Sequence, residues 1–314
     1  MLGQIRDVKN ILSSKDLAWW RSFIMKNVRN PTALLHHLVY NIKRFLFDIA
    51  AQLGLYKHKY NIVFIAGMPM SATTWVKNMF GHVPGYFSRF TPMPKDIHDN
   101  CNFSKGAFDY IPTHGYTLFK THLNPTKRNL DIILNNNIKK IIVTHRDFRD
   151  VTIARYHRLK EFPEQPDELY YTDLTKITLE EGINDSIKVV SESLVPWING
   201  WMDVARKSEG LVYFCAFEKM RSNPKNEFKK MLDFYEIDLS DEKINDIIAV
   251  TKGTGNMRDN IHKLALQPWA LSSNFRSGVI GGWKDEFTDN NKEYFKKLMG
   301  KDLIKHGYEK DDNW

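Results

Sequence analysis

A loop rich in hydroxyl side chains follows the first strongly apolar run of the chain. After residues 61–67, NIVFIAG, the sequence continues MPMSATTWVKNM, and Ser71, Thr73 and Thr74 stand where a strand would turn into a helix. Backbone N–H groups at such a turn bind anions together with the helix N-terminus, and the hydroxyl groups add further donors. The segment therefore predicts a phosphate-type site. The alternative is that these side chains merely cap a helix.

A lysine and a histidine two residues apart are the second candidate for chemistry. Lys120 ends the apolar run 116–120, YTLFK, and His122 follows it. Side chains at positions i and i+2 of a strand face the same side of a sheet. Histidine has the unperturbed pKa best suited to a general base near neutral pH, and a cation beside it stabilises developing negative charge. The alternative is a histidine that packs in a core or loop.

Two arginines are candidate phosphate ligands. Arg146 follows the run 140–145, KIIVTH, and a guanidinium at the end of a strand suits bidentate binding of phosphate. A salt bridge to Asp147 or Asp150 is the alternative. Arg276 follows a loop of about two dozen residues with few apolar positions, which predicts a lid over a bound nucleotide.

The elements that must position these residues alternate along the chain. β-Branched runs predict strands at 61–67, 116–120, 140–145 and 211–217, and helical patterns lie at 73–80, 126–135, 148–159, 179–207 and 225–235. This order predicts an α/β fold, a single P-loop-like domain with a central parallel sheet flanked by helices and with ligands at the carboxyl ends of the strands. We expect residues 1–58 to form a helical N-terminal extension and the domain to span residues 59–314.

Charge and composition narrow the class of protein. The 314 residues include 45 Lys and Arg against 37 Asp and Glu, a net charge of +8, which favours an anionic partner. The two cysteines exclude a disulfide framework and favour a reducing compartment. Without an apolar run of spanning length or a signal core, we expect a cytoplasmic protein. Residues 34–55 have apolar positions at helical spacing, so peripheral membrane contact is the alternative to docking on the protein's own core.

Four segments, in the same order, resemble the cytosolic sulfotransferases. Residues 69–75, PMSATTW, resemble the 5'-phosphosulfate loop P-K-S-G-T-T-W, and 120–125, KTHLNP, resemble K-T-H-L-P. Residues 144–157, THRDFRDVTIARYH, resemble the 3'-phosphate segment R-N-x-K-D-x-x-x-S-Y-x-H, and 275–288, FRSGVIGGWKDEFT, resemble F-R-K-G-x-x-G-D-W-K-x-x-F-T. The resemblance covers residues 59–314. It implies in-line, metal-independent transfer of a sulfuryl group from 3'-phosphoadenosine 5'-phosphosulfate (PAPS) to a hydroxyl or amine of a small organic acceptor.

The resemblance also implies a role for each matching residue. His122 is the catalytic base, and Lys120 contacts the transferring sulfuryl group. The positions carried over to the nucleotide are Met70, Ser71, Ala72, Thr73, Thr74 and Trp75 on the 5' side and adenine, and Arg146, Ala154, Phe217, Phe275, Arg276, Ser277 and Gly278 on the 3' side.

Several of these positions depart from the family pattern. Met70 stands where the family has a loop lysine, Ala72 where it has a glycine, and Ala154 where it has a serine. Phe217 replaces a tyrosine, Thr254 an adenine-stacking phenylalanine, and Ser277 a lysine. Each lost contact costs about 1 to 3 kcal/mol, which predicts a divergent member with weaker PAPS binding and slower transfer. The alternative is a degenerate relative that binds a phosphonucleotide or a partner without efficient transfer.

Other classes and assemblies are less favoured by the residues. Ala72 and Thr73 replace the glycine and lysine of a triphosphate loop, so a nucleotide kinase is disfavoured. No basic-aromatic groove favours nucleic acid. Asp289 stands where the family's dimer motif has valine, so we expect a monomer. The aromatic residues that either line an acceptor pocket or form a small hydrophobic core in the loops are Phe87, Phe90, Phe103, Phe108 and Tyr110.

Overall fold

The computed structural model describes residues 31–88, 101–103, 108, 115–161, 176–252 and 278–314. Contacts between Cα atoms divide the chain into two compact units. One comprises residues 1–46 and 257–272, and the other comprises residues 47–256 and 273–314. The larger unit holds every strand described below. The predicted boundary at residue 58 stays a prediction.

Helices and strands alternate over most of the described chain. The strands are β1 (Ile62–Gly67), β2 (Tyr86–Ser88), β3 (Tyr116–Thr121), β4 (Ile141–His145) and β5 (Val212–Ala216). The helices are α1 (Pro31–Gln52), α2 (Thr73–Gly81), α3 (Lys127–Asn135), α4 (Phe148–Glu161), α5 (Leu179–Val189), α6 (Val195–Lys207), α7 (Phe217–Ser222), α8 (Pro224–Phe234), α9 (Asp241–Thr251) and α10 (Asp289–Lys305). A 3-10 turn spans Gly282–Asp285.

The strands form one parallel sheet in the order β2-β3-β1-β4-β5. In this register Ile65 of β1 lies opposite Lys120 of β3, and Gly67 lies opposite Thr144 of β4. Parallel strands end at the same edge of a sheet. The hydroxyl-rich loop after β1, His122 after β3 and Arg146 after β4 therefore meet at this carboxyl edge.

Each face of the sheet is covered by its own apolar cluster, as the alternation of side chains in a strand requires. Leu118 of β3 and Ile65 of β1 pack on one face with α2 and α8, whereas Phe119 and Phe64 pack on the other face with α4, α5 and α6. Lys120 has the same parity as Leu118. Its side chain therefore starts on the α2 face of the sheet.

The predicted α/β fold with a central parallel sheet is confirmed, and two local predictions are corrected. The three-residue strand β2 was not predicted, because so short a run carries no measurable periodicity. The single helix predicted over 179–207 is interrupted by a π-helical turn, Val190–Leu194. Pro196 explains the turn, because proline cannot donate to the carbonyl four residues earlier and its ring clashes with that carbonyl.

Candidate active site

The hydroxyl-rich loop after β1 is tied together by its own buried side chains. The Ser71 hydroxyl donates to the Met68 carbonyl at 2.6 Å and lies 2.7 Å from the hydroxyl of Thr144 on β4. The Thr73 hydroxyl is 3.0 Å from the same Thr144 oxygen. These contacts hold the loop to the sheet. Thr144, which the sequence analysis did not single out, joins the two hydroxyls that it did.

Two backbone features give the loop its shape. Met70 and Ala72 have φ angles of 65° and 64°, in the left-handed region that favours glycine. Gly67 lies so close to Thr73 that a Cβ atom there would be 2.1 Å from its hydroxyl oxygen. The chain therefore turns tightly from β1 into α2, and the unpaired N–H groups at the start of α2 face the carboxyl edge of the sheet.

Trp75 extends this loop on the side of α9. Its ring is half-buried, and its indole N–H donates to the hydroxyl of Thr251 at 3.3 Å. Thr74, on the neighbouring position, is also half-buried. The proposed contacts of Thr74 and Trp75 with the nucleotide stay predictions, and Thr254 lies outside the described residues.

Arg146 is buried at the end of β4, between the loop after β1 and residues 278–283, the 3' segment. Its guanidinium donates to the Val279 carbonyl at 2.8 Å, reaches the Met70 carbonyl at 3.5 Å and lies 4.2 Å from the centre of the Phe217 ring. It also lies 3.5 Å from Asp150, so the ion pair considered in the sequence analysis is present.

This environment leaves Arg146 with unused binding capacity. Burial lowers the pKa of the Arg146 guanidinium, and its Nε atom is buried without a hydrogen-bond partner among the described residues. An orphaned buried donor is unusual in a folded protein, and an anion would satisfy it. The residues around Arg146 therefore fit the 3'-phosphate of PAPS. Ala154 is half-buried on α4 and offers no hydrogen bond of its own.

Asp150 brings the 3' segment to Arg146. Its carboxylate accepts from the backbone N–H groups of Gly281 at 2.8 Å and Trp283 at 3.2 Å. The Gly278 carbonyl accepts from Arg221 at 3.1 Å. Gly278 is the neighbour along the chain of Val279, whose carbonyl accepts from Arg146. The other predicted residues of this segment, Phe275, Arg276 and Ser277, lie outside the described residues.

His122 is held in one tautomer by the backbone of β1. Its Nδ1 atom lies 2.5 Å from the Gly67 carbonyl, which only accepts hydrogen bonds. Nδ1 therefore donates, and Nε2 keeps its lone pair. Desolvation and, next, the positive charge of Lys120 lower the pKa of His122 to about 3, with a smaller contribution from Arg158. The ring is neutral at physiological pH, which a general base requires.

The backbone carbonyl of Leu123, the residue after His122, is held by two hydrogen bonds. The carbonyl of Leu123 accepts from the indole N–H groups of Trp197 at 2.9 Å and Trp201 at 3.2 Å. Both tryptophans lie on α6, directly after the π-helical turn. This double hydrogen bond anchors the end of β3 on which the predicted base stands.

Two further cations, Lys77 and Arg158, interact electrostatically with Lys120 and His122, and the sequence analysis missed both. Lys77 on α2 is half-buried, and desolvation and then the charge of Lys120 lower its pKa to about 8. Arg158, in the last turn of α4, acts on His122. Neither belongs to a motif, and their elements are far apart along the chain.

Phe103 and Phe108 belong to the hydrophobic core of the larger unit. The Phe103 ring packs against Phe108 with 5.1 Å between centroids, and Phe108 packs against Phe119 of β3 at 5.5 Å. For Phe103 and Phe108 the structure thus shows packing in a hydrophobic core, the alternative to lining an acceptor pocket. Phe90 and Tyr110 lie outside the described residues.

The described residues contain neither a helix that could span a membrane nor a cluster of metal ligands. In this part of the chain no helix is both long and apolar enough to cross a membrane. No group of three or more His, Cys, Asp and Glu side chains there is arranged to hold a metal ion.

The parallel sheet, the tight hydroxyl-rich loop after β1 and the arginine at the carboxyl edge are features of nucleotide-binding α/β proteins. The family model of the sulfotransferase domain matches residues 61–307. The chain therefore belongs to the sulfotransferase family. This confirms the enzyme class expected from the four motifs, a PAPS-dependent sulfotransferase of the cytosolic type.

Individual relatives of this chain are also sulfotransferases. Sulfotransferase 1C2 of Rattus norvegicus is 24% identical over 271 residues, which cover 81% of this chain and 88% of the relative. The amine sulfotransferase of Oryctolagus cuniculus is 24% identical over 284 residues, which cover 84% and 88%. Among solved structures, mouse sulfotransferase SULT7A1 complexed with PAP superposes with a TM-score of 0.60 at 21% identity, over 77% of this chain and 84% of that one. The structural likeness shows a shared fold.

Proposed function

We propose that this sulfotransferase moves the sulfuryl group of PAPS to a hydroxyl or amine of a small organic acceptor, with His122 as the general base. The observation that carries the proposal is the hydrogen bond from His122 Nδ1 to the Gly67 carbonyl, which leaves the Nε2 lone pair available. The names of several relatives point to small acceptors, such as amines and flavonols.

In the proposed reaction, the acceptor oxygen or nitrogen attacks sulfur as its proton passes to His122 Nε2. The bond between sulfur and the oxygen of the 5'-phosphate breaks, and the products are the sulfated acceptor and 3',5'-diphosphoadenosine (PAP). Sulfuryl transfer resembles phosphoryl transfer, in which positioning and cationic stabilisation of a loose anionic centre supply most of the rate. Lys120, whose charge acts on His122, supplies that cation.

The nucleotide would lie along the carboxyl edge of the sheet. The N–H groups at the start of α2 and Thr74 would face the 5'-phosphosulfate, and Trp75 would stack on the adenine ring. Arg146, with its orphaned Nε, would bind the 3'-phosphate beside Gly278. Ser71 and Thr73 would support the loop through Thr144.

His122→Ala tests the base directly. We expect transfer to fall about 100-fold or more, because general-base catalysis contributes that much, whereas the affinity for PAP stays the same. His82→Ala is the matched control, since His82 is an exposed histidine at the end of α2. The measurements are turnover with labelled PAPS and calorimetric titration with PAP.

The same experiment distinguishes the degenerate-relative alternative. A wild-type protein that binds PAP but transfers to no acceptor would support binding without transfer. A His122→Ala variant with near wild-type turnover would remove His122 from the mechanism.

A further inference from the structure

The carboxylate that follows Arg146 along the chain is paired with another arginine. The Asp147 carboxylate accepts from the Arg149 guanidinium, at 3.0 Å from Nε and at 2.7 Å from a terminal nitrogen. Both side chains are buried, with 11% of Asp147 and 4% of Arg149 exposed. A buried carboxylate without such a partner repels a phosphate and competes for a neighbouring guanidinium. The pairing with Arg149 therefore removes a competitor for Arg146.

Arg149 is fixed in this position by three side chains from outside α4. Its other terminal nitrogen donates to the Glu309 carboxylate at 2.5 Å. Its guanidinium carbon lies 4.2 Å from the centre of the Trp283 ring and 4.5 Å from the centre of the Trp314 ring. Tryptophan is the aromatic side chain that attracts a guanidinium most strongly. These contacts orient the Arg149 fork toward Asp147.

The two tryptophans also connect this arginine to the 3' segment. The Trp283 and Trp314 rings meet edge to face, with 5.2 Å between their centroids. The backbone N–H of Trp283 donates to the Asp150 carboxylate at 3.2 Å, and that carboxylate lies 3.5 Å from the Arg146 guanidinium. Trp314 therefore packs on the side chain of a residue whose backbone belongs to the surroundings of Arg146.

Glu309 and Trp314 belong to the segment after α10, residues 306–314, which is attached at further points. The Tyr308 hydroxyl lies 2.7 Å from Nδ1 of His145, the residue before Arg146. The Lys296 ammonium donates to the Asp312 carbonyl at 2.8 Å. The segment after α10 thus contacts residues immediately before and shortly after Arg146.

We propose that Glu309 and Trp314 are positioning residues for the nucleotide. They hold Arg149 against Asp147, and this keeps Arg146 available for the 3'-phosphate of PAPS. The inference rests on the proposed contact between Arg146 and that phosphate. It assigns a role to two residues that lie outside the four sequence motifs, and this role passes through Arg149 and Asp147.

Two nucleotides that differ in one group test this proposal. PAP and adenosine 5'-monophosphate (AMP) are identical except for the 3'-phosphate. The ratio of their dissociation constants, Kd for AMP over Kd for PAP, is the 3'-phosphate selectivity of the protein. Calorimetry on the full chain measures both constants, with AMP as a competitor of PAP where its own binding is weak. A general loosening of the site weakens both nucleotides and leaves the selectivity unchanged.

Loss of the contacts around Arg149 should lower the selectivity in steps. Arg149→Gln should lower it about tenfold, the size of one charge-assisted hydrogen bond, because Asp147 is then unpaired. Trp314→Ala should lower it about threefold through the lost cation–π contact, and Glu309→Gln by a similar factor of about three. Trp314→Phe keeps an aromatic ring beside the guanidinium and should retain most of the selectivity.

A double substitution separates charge from packing. Adding Asp147→Asn to Arg149→Gln removes the carboxylate that competes for Arg146, and asparagine caps a helix as well as aspartate does. The selectivity should therefore return to within about twofold of wild type. A purely structural role of Arg149 predicts no recovery. In an Arg146→Ala background, Trp314→Ala should not change the selectivity further, because its effect requires Arg146.

Two control variants account for lost stability. Phe228→Leu removes packing from the apolar cluster on the other face of the sheet, and Glu236→Gln removes an ion pair with Lys59, which precedes β1. Both should leave the selectivity unchanged, and chemical denaturation of every variant measures its stability. If Arg149→Gln does not fold, the variants at the half-buried positions Glu309 and Trp314 decide the question.

The outcomes separate this inference from the proposed contact of Arg146. Wild-type selectivity in Glu309→Gln and Trp314→Ala, with a loss only in Arg146→Ala, would overturn the inference and leave the phosphate contact intact. A fall in Arg149→Gln that the added Asp147→Asn does not restore would also overturn it. Equal losses for PAP and AMP in Arg146→Ala would contradict the phosphate contact and the inference together.

Discussion

The carboxyl edge has a nucleotide side around Arg146 and an acceptor side around His122, and the two differ in what surrounds their positive charges. On the nucleotide side, Arg146 is accompanied by Asp150 at 3.5 Å, and the charge of Glu218 also raises its pKa. On the side of His122, burial and, next, the charge of Lys120 lower the pKa of the imidazole, with a smaller contribution from Arg158. Positive charge on the nucleotide side is thus paired with carboxylates, whereas positive charge near His122 helps to keep the imidazole neutral.

Geometry differs between the sides as well. The nucleotide side is held together by hydrogen bonds: the Ser71 hydroxyl of the loop after β1 bonds the Thr144 hydroxyl, and the Asp150 carboxylate accepts from the backbone N–H of Gly281. On the acceptor side, the fixed element is the end of β3, through Gly67 and the two tryptophans that bind Leu123. The cations around it stand on flexible side chains. The difference predicts that variants on the nucleotide side affect PAP affinity and stability, whereas those on the acceptor side affect selectivity.

Removal of Arg146 should have the largest effect on the nucleotide side. Arg146→Ala should weaken PAP binding by roughly 2 kcal/mol, about 30-fold, because a buried charge-assisted contact is lost. Binding of adenosine 5'-phosphosulfate, which lacks the 3'-phosphate, should change little. Calorimetry with both ligands makes the comparison, and Arg206→Ala serves as the control. Equal losses for both ligands would mean that Arg146 has a structural role only.

Restoring the loop lysine tests whether charge is missing from the nucleotide side. An unbranched thioether has nearly the reach of lysine, so Met70→Lys should fit with little strain. The ammonium would stabilise charge on the leaving oxygen, and turnover should rise about tenfold if 1.4 kcal/mol is recovered. Single-turnover kinetics would measure it. A fall in turnover at unchanged PAP affinity would mean that another cation already serves the leaving group, and Met70→Leu is the uncharged control.

Strain in the same loop should appear as a gain in stability when it is removed. Ala72 has a φ of 64°, which is unfavourable for any side chain with a Cβ atom. Ala72→Gly should stabilise the protein by about 1 kcal/mol, partly offset by the greater freedom of glycine in the unfolded chain. Chemical denaturation monitors the change. Asn137→Gly, at a φ of 58°, should gain less because asparagine tolerates this region, and equal gains would contradict a specific strain at Ala72.

The smallest effect concerns the pH dependence of transfer. Burial and, next, the charge of Lys120 lower the pKa of His122 to about 3, so the imidazole is neutral above that value and takes up a proton only as pH falls through 3. For an acceptor that does not titrate in this range, kcat/KM should therefore change by no more than about twofold between pH 5 and 8. A profile of kcat/KM against pH measures this, with the stability of the protein checked at each pH. A fall in kcat/KM centred near pH 6.5 would mean that His122 titrates as an ordinary histidine.

Local patterns in the sequence determined the sheet and the positions of the main groups. The runs before Gly67, His122 and Arg146 are β-branched and apolar, so each predicts a buried strand and places the following residue at the carboxyl edge. The period of two also predicted that Lys120 and His122 face one side; β3 ends at Thr121, so for His122 this stays a prediction. These properties follow from backbone geometry and from the burial of apolar surface within a few residues, and the predicted fold is confirmed.

Contacts between distant segments were decided only by the tertiary structure. The tautomer of His122 depends on the carbonyl of Gly67, 55 positions away, and the two tryptophans that bind Leu123 lie 74 and 78 positions away. A lone basic residue on a helix has no periodicity or motif that distinguishes a ligand-binding charge from a solvated one. The role of such a charge depends on which groups the tertiary structure places next to it.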